Sequence, residues 1–254
     1  MKQEKKKYLV LGALILVIII CIAVIAVYYM QRKKGEEEYA KIQKVAKDIV
    51  VAEEPEIEEY VSPINFEELW AINEEIYAWI EITGTEIDYP ILQREGDDSY
   101  YLNHTIEGEE GLPGSIYTEA VNSKDFTDFN TMIYGHNLKG GGMFTSLHEY
   151  EDPEFLKSYP YVYIYMPDRM LTYQIFIAAV YDDRHIMYSF DFSNEAGCQE
   201  YLDALQELRA EAFCYDESLD VNTDSKILTL STCTNGAANE RWLVCAVLID
   251  GMDE

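Results

Sequence analysis

The chain has few basic residues. Its 19 Lys and Arg stand against 47 Asp and Glu, which gives a formal net charge of −28 at pH 7. Seven of the basic residues fall within the first 34 positions, so the remainder of the chain is more acidic still. A surface of this charge repels nucleic acid and anionic lipid. We therefore exclude nucleic-acid binding and interpret the acidic residues as a well-solvated exterior.

Metal-binding spacings are missing, and cysteines are few. The sequence has no Asp-x-Asp-x-Asp-Gly calcium loop, and its four histidines do not match a zinc signature. The five cysteines are Cys21, Cys198, Cys214, Cys233 and Cys245. Their predicted places on helix and strands keep them beyond disulfide reach within one chain. We predict free thiols, of which Cys198, Cys214 and Cys245 are small buried hydrophobes.

One long hydrophobic run is present near the start of the chain. Residues 8–30 contain no charged side chain and are mostly Leu, Ile, Val and Ala. At about 1.5 Å per residue they are long enough to cross a hydrocarbon core of about 30 Å. The run is too long for the core of a signal peptide. We predict an uncleaved signal anchor with a basic cytoplasmic tail over residues 1–7 and the rest of the chain outside the cell.

Residues 31–63 are predicted to form an acidic stalk or linker. Four apolar residues recur there at helical spacing: Tyr39, Ile42, Val45 and Ile49. An acidic, proline-broken stretch follows them. We interpret the segment as a solvated helix that only sets the distance from the membrane.

The segment 64–254 is predicted to form a mainly β domain with added helices. It begins with a helix near Asn65 whose apolar positions continue to Ile80. Eight runs rich in Tyr, Ile, Val and Thr follow: IDYPILQ, YYLNHTI, GSIYTEA, TMIYGH, YVYIYM, LTYQIFIAAVY, KILTLSTC and RWLVCAVLI. Eight short strands favour a barrel or a sandwich. Helices are predicted at MFTSLHEY and at NEAGCQEYLDALQELRAEAF.

Cys233 is the candidate nucleophile of the domain. It lies at the C-terminal end of the predicted strand that begins with KILTL, and the loop TNGAAN follows it. A free thiol has a pKa of about 8.5, so a nucleophilic cysteine needs a base or a positive neighbour. Hairpin spacing places Arg241 opposite Cys233 on the same face of the sheet. The Arg241 guanidinium can hold an oxyanion and favour the thiolate.

Four histidines are candidates for the base. His136 ends the strand TMIYG and enters a loop with three successive glycines, which is also a rim position. His104 follows a predicted strand, whereas His148 on a short acidic helix and His185 beside two aspartates are interpreted as solvated surface residues. An ordinary loop histidine remains the alternative for His136 when its segment is read alone. Together, Cys233, His136 and Arg241 indicate covalent acyl transfer.

The motifs TMIYGHN and TLSTC, with the arginine that follows the cysteine, resemble the sortase family, the membrane-anchored transpeptidases of Gram-positive bacteria. The resemblance covers residues 66–249, and the helices before the first strand and between the later strands are similar to class B sortases. It implies an eight-stranded sortase-type β-barrel that works without cofactor or essential metal.

The resemblance also implies a reaction. Cys233 attacks the Thr carbonyl of a C-terminal sorting signal in a secreted protein, His136 protonates the leaving amine, and Arg241 stabilises the oxyanion. An amine of a peptidoglycan precursor or of a pilin then resolves the thioacyl enzyme. Substrate-binding residues implied by the same resemblance are Ser231, Thr232, Asn103 and Tyr188.

Three alternatives remain open from the sequence. A membrane-anchored cysteine peptidase would hydrolyse the acyl enzyme instead of transferring it. An L,D-transpeptidase would carry an arginine directly after a Gly-Cys-x stretch, which STCTNG lacks. A membrane-tethered binding module without catalysis would not need all three polar groups. The sorting signal, the acceptor amine and the choice between anchoring and pilus assembly stay undetermined.

Overall fold

The helices and strands are taken from a computed structural model that describes residues 2–47, 60–236 and 239–251. The α-helices are α1 Lys2–Lys47, α2 Phe66–Ile72, α3 Pro153–Ser158, α4 Ile186–Ser189 and α5 Glu195–Leu208. The strands are β1 Ile76–Glu81, β2 Asp88–Leu92, β3 Ile116–Tyr117, β4 Asn130–Tyr134, β5 Tyr161–Tyr165, β6 Met170–Asp182, β7 Cys214–Tyr215, β8 Ile227–Cys233 and β9 Glu240–Asp250. Short 3-10 helices occupy Tyr100–Leu102 and Thr145–Glu151.

Eight of the strands close into a barrel. Their order around it is β5, β1, β2, β3, β4, β8, β9 and β6, and β6 pairs back with β5. The pairs β2 with β3 and β4 with β8 are parallel, whereas the other pairs are antiparallel. The two-residue strand β7 adds to β6 beside the closed sheet. The predicted eight-stranded barrel is confirmed.

Strand β8 is buried on both of its faces. Leu228 and Leu230 point into the barrel, where they join the larger hydrophobic core. Thr229 lies between them in sequence and therefore faces outward, because successive side chains of a strand alternate. Its hydroxyl lies 2.8 Å from that of Tyr201 on α5. Helices α4 and α5 thus cover the outer face of β8 with a second core, as expected for a strand of mostly apolar residues.

The first helix of the domain is shorter than predicted. Helix α2 ends at Ile72, and Asn73 takes an extended conformation with φ −154°. The side-chain amide of Asn73 donates a hydrogen bond to the Ile106 carbonyl, with 2.8 Å between nitrogen and oxygen, and this contact holds the residue outside the helix. Residues 76–81 then form β1 between β2 and β5. The prediction of a helix reaching Ile80 is therefore wrong, since tertiary pairing outweighs the local apolar spacing.

The strand predicted at YYLNHTI does not form. The run YYLNHTI forms the 3-10 helix at 100–102, and His104 contributes only an isolated bridge to Glu110. An Asx turn leads into this helix, because the Asp97 carboxylate accepts hydrogen bonds from both the backbone amide and the hydroxyl of Ser99. Strand β1 takes the eighth place in the barrel instead.

Helix α1 runs without interruption from the apolar segment onto the barrel. An apolar stretch of 18 residues near the start of this helix has a mean hydropathy of 3.5, and none of its residues is buried. Tyr39, Ile42 and Ala46, in contrast, are buried against the domain. The Tyr39 hydroxyl also donates to the Gly114 carbonyl at 2.7 Å.

The prediction of a solvated stalk is therefore wrong for residues 31–47. The apolar stripe of this half of α1 is a packing face, because burial of apolar side chains is favourable. Ile49 and the acidic stretch after it lie outside the described residues.

The cysteines of the domain are free thiols, as predicted. Cys198, Cys214 and Cys245 are buried, whereas Cys233 is exposed. Burial raises the pKa of both Cys214 and Cys245 to about 11. These two thiols stay neutral at physiological pH, as their interpretation as small hydrophobes requires.

Candidate active site

The barrel topology brings the three candidate catalytic residues to one edge. Strands β4 and β8 are parallel, so their C-terminal ends meet at the same edge of the sheet. Cys233 is the last residue of β8, and His136 lies two residues beyond the end of β4. Strand β9 runs antiparallel and begins at this edge, where Arg241 is the Cα partner of Cys233. The predicted hairpin register is therefore confirmed.

The His136 ring is held by a backbone carbonyl. Its Nε2 lies 2.5 Å from the Leu102 oxygen. A carbonyl oxygen only accepts, so Nε2 carries the proton and Nδ1 is the ring atom left for proton exchange. Gly114, with φ +69°, allows this contact, because a Cβ there would lie 2.7 Å from the Leu102 oxygen and 3.1 Å from Cδ2 of His136.

Arg241 stands beside Cys233 at the start of β9. Its side chain is half-buried, and Nη1 donates 2.9 Å to the Glu240 carbonyl. Because directly opposed residues of an antiparallel pair project to the same face, the guanidinium and the Cys233 thiol share the outer face of the barrel. A planar cationic donor set beside an exposed thiol can stabilise negative charge on a bound carbonyl.

The four predicted substrate-binding residues are placed differently from one another. Ser231 is buried and lies on the same face of β8 as Cys233. Thr232 is buried as well, but it alternates to the opposite, interior face, where its Cα partner is Trp242. A substrate on the outer face would not reach the Thr232 side chain.

Asn103 and Tyr188 lie at the margins of this face. Asn103 directly follows Leu102, the residue that holds His136, and its side chain is exposed. Tyr188 on α4 is also exposed, with its ring centroid 4.4 Å from that of His185. His185 in turn lies 6.2 Å from the ring of Tyr134, at the end of β4. Asn103 therefore lies beside the residue that holds His136, and Tyr188 lies near the end of β4.

The structure contradicts the interpretation of His148 as a solvated surface residue. Its side chain is only 13% exposed, and the ring stacks on Trp242 with centroids 5.2 Å apart. Nδ1 lies 2.9 Å from the Glu151 carboxylate, and Nε2 lies 3.1 Å from the Cys233 carbonyl. The spacing of His148 and Glu151 by three residues was the only sequence signal for this pair.

Asn137 completes the surroundings of Cys233. Its amide nitrogen lies 2.9 Å from the Cys233 carbonyl and 2.9 Å from the Asn235 side-chain oxygen. The residue next to His136 is therefore bonded to the backbone of the candidate nucleophile. Within the described parts of the chain, no group of three or more His, Cys, Asp or Glu side chains is arranged to hold a metal ion.

Comparison with known proteins identifies the family. The sequence profile of the sortase domain matches residues 80–249. The chain belongs to the sortase family. Sortase B of Listeria monocytogenes is 36% identical to this sortase over 166 residues, which cover 65% of each chain. Sortase B of Staphylococcus aureus is 30% identical over 198 residues, or 76% of this chain and 77% of that protein.

The solved structures agree with this assignment. A structure described as a sortase B–substrate complex of Staphylococcus aureus superimposes with a TM-score of 0.71 at 28% identity, covering 85% of this sortase and 97% of that chain. Sortases are cysteine transpeptidases, and these relatives support a place for this chain among the class B enzymes.

Proposed function

We propose that this sortase cleaves a C-terminal sorting signal after Thr and transfers the released protein end to an amine. The observation that carries the proposal is the meeting of His136, Cys233 and Arg241 at one edge of the barrel. A thiol, a histidine and an arginine at one edge of the barrel are the groups that acyl transfer through a thioester requires.

The proposed reaction has two steps, formation of a thioester and its aminolysis. The Cys233 thiolate forms a bond to the Thr carbonyl carbon, and the electrons of the C=O bond move to an oxyanion that Arg241 stabilises. Collapse of this intermediate breaks the C–N bond, and His136 gives its proton to the leaving amine. An acceptor amine then attacks the thioester, loses a proton to His136 and expels the Cys233 thiolate.

The groove for the sorting signal is proposed at the C-terminal ends of β4 and β8, beyond the part of their outer face that α4 and α5 cover. Ser231 lines its floor, while Asn103 and Tyr188 border it. Thr232 supports the strand from inside the barrel, where it pairs with Trp242. A relative of similar fold, sortase B of Staphylococcus aureus, is described as a complex with its substrate, which supports substrate binding by this fold.

Residues 8–30 of α1 are proposed as the membrane anchor. The basic tail at 1–7 would remain in the cytoplasm, and the domain over 64–254 would face the cell exterior. In this orientation the sortase meets secreted proteins that carry sorting signals and an amine of a peptidoglycan precursor or a pilin. The long apolar helix supports the anchor by its length and composition.

The proposal is tested with the full chain in lipid nanodiscs. A peptide library with both Asn-Pro-x-Thr and Pro-x-Thr-Gly signals is added, and intact-mass spectrometry records a thioacyl adduct on Cys233. A set of amines is then supplied, and the products are identified. A peptide–amine product supports transpeptidation, whereas a free acid in the presence of amines would make the enzyme a peptidase. The absence of any adduct with every signal would refute the proposal.

A further inference from the structure

The end of the β4–β8 ladder is unusual. The last regular bond runs from the Gly135 amide to the Ser231 carbonyl at 3.2 Å. In a parallel pair the next acceptor is the Cys233 carbonyl, and the next donor would be the backbone amide of Asn137. The backbone of Asn137 instead bridges to Met143. Side chains, instead of a backbone amide, therefore contact the carbonyl of Cys233.

Two side chains converge on the Cys233 carbonyl. The Asn137 amide nitrogen lies 2.9 Å from the oxygen, and the His148 Nε2 lies 3.1 Å from it. The Asn137 nitrogen has two hydrogens, which its contacts to Cys233 and Asn235 use. The His148 Nε2 also lies 3.1 Å from this Asn137 nitrogen. Because both Asn137 hydrogens are used and a carbonyl oxygen only accepts, Nε2 is the second donor to the Cys233 carbonyl.

The second ring nitrogen of His148 faces Glu151. Nδ1 lies 2.9 Å from the Glu151 carboxylate. The other groups that surround the ring are Asn137 from the His136 loop, Cys233 from β8 and the stacked indole of Trp242 from β9. Glu151 thus orients the ring so that Nε2 points at the Cys233 carbonyl.

We propose that His148 is a positioning residue of this sortase: its Nε2–H, oriented by Glu151, fixes the Cys233 carbonyl and hence the thiol relative to His136. The inference rests on the proposed function, because the position of the thiol matters only if Cys233 is the nucleophile. His148 acts through the backbone and does not touch the substrate.

The test separates the hydrogen bond from the aromatic packing. His148→Phe keeps a ring against Trp242 but loses the donor, whereas His148→Gln restores an amide donor without the ring. We expect His148→Phe to slow acylation of the full chain by roughly tenfold to a hundredfold with little change in KM, as displacement of a reacting group does. His148→Gln should recover a large part of the rate. A His148→Phe rate equal to wild type, or a His148→Gln rate as low as that of His148→Phe, would overturn the inference.

A second variant pair keeps the test informative if His148→Phe does not fold. Glu151 lies on the same 3-10 helix with its side chain 48% exposed, so Glu151→Ala should fold and slow acylation by releasing the ring. The matched control is Glu149→Ala, which removes an exposed carboxylate two residues away and should react as wild type. Equal rates for the two alanine variants would refute the role of the pair.

Nitrogen-15 histidine NMR distinguishes this inference from the proposed function. In the full chain, we expect the His148 Nε2 to be protonated and its hydrogen to be protected from solvent exchange, with or without a sorting peptide. An unprotonated Nε2 would overturn the inference even if wild type forms the acyl enzyme. If wild type forms no acyl enzyme but the His148 Nε2–H is protected from exchange, the proposed function is refuted, whereas the hydrogen bond between His148 and the Cys233 carbonyl is confirmed.

Discussion

The Arg32 guanidinium donates a hydrogen bond to the Gly140 carbonyl, with 2.8 Å between Nη2 and the oxygen. A second bond goes to the Lys139 carbonyl, and Nε pairs with Glu36 at 2.7 Å. The loop held in this way begins at His136. Helix α1 therefore connects the end of the apolar segment directly to the candidate active site.

Arg32→Ala should lower acylation without unfolding the domain. Residues 140–142 are glycines with φ between +87° and +104°, a backbone with little intrinsic restraint, so loss of the arginine releases the loop that carries His136. We expect a loss of roughly tenfold in the rate of acyl-enzyme formation. The control is Lys33→Ala, whose ammonium points away, 3.6 Å from Glu37 with 77% of its side chain exposed. Equal rates in both variants would show that α1 does not restrain the loop.

Cys233→Ala should abolish the acyl enzyme while leaving the fold intact. The side chain is exposed, so removal of one sulfur leaves no buried cavity. Intact mass after incubation with sorting peptides measures the adduct, and the thermal midpoint measures stability. Cys198→Ala serves as the control, because this thiol lies on α5 and is buried. A comparable loss of the adduct in Cys198→Ala, or turnover by Cys233→Ala, would contradict the assignment of the nucleophile.

His136→Ala should slow turnover by about 10²- to 10⁴-fold, the usual contribution of general acid–base catalysis. The affected step is protonation of the leaving amine, so activated esters with good leaving groups should be cleaved with a smaller loss. His104→Ala is the control, since the His104 ring stacks on Tyr100 at 3.8 Å and bonds to the Tyr100 carbonyl. A greater loss in His104→Ala than in His136→Ala would reverse the assignment of the base.

The parts of the site that depend on short sequence distances were predictable. A tight antiparallel pair fixes its own register, so the spacing of Cys233 and Arg241 across the β8–β9 turn was sufficient to place them opposite each other. The free state of Cys245 followed from the same spacing. That of Cys198 and Cys214 was predicted from the length of a helix between them, although α5 ends at Leu208 and Cys214 lies on β7. The parallel pairing of β4 with β8 joins segments about a hundred residues apart, and no local spacing predicted it.

The missed features depend on long-range burial. The apolar positions of Ile76 and Ile80 suit one face of a helix, yet the barrel needs a strand between β2 and β5, and pairing on both sides outweighs the helical spacing. The stripe of Tyr39 and Ile42 looked solvated because its partner surface, around Gly114, lies far along the chain. His148 was misplaced for the same reason, since Cys233 lies 85 residues away.

Alkylation should distinguish the cysteines by pH. Burial raises the pKa of Cys214 and Cys245 to about 11 and that of Cys198 above its usual range. A raised thiol pKa keeps the unreactive neutral form to higher pH, so these three should resist iodoacetate at pH 8. Peptide mass spectrometry of the full chain in vesicles should find the label on Cys233, and urea should expose the others. Labelling of Cys245 in the native protein at the rate of Cys233 would contradict the burial.

The role of Arg241 is tested by a single conservative change. If the guanidinium donates to the oxyanion, Arg241→Lys should be nearly as slow as Arg241→Ala, because a flexible ammonium keeps the charge but cannot reproduce the planar donor set. Loss of such a donor costs about 2.7 to 4 kcal/mol in the barrier, or roughly a hundredfold to a thousandfold in rate.

A purely electrostatic role of Arg241 predicts a different pattern. If the positive charge only lowers the pKa of the Cys233 thiol, Arg241→Lys should retain most activity, and the alkylation midpoint should rise in Arg241→Ala alone. Acylation rates and alkylation against pH, measured in wild type and both variants, separate the two roles. Near-normal acylation by Arg241→Lys would rule out the oxyanion contact, because both side chains carry the charge but only arginine offers the paired donors opposite Cys233.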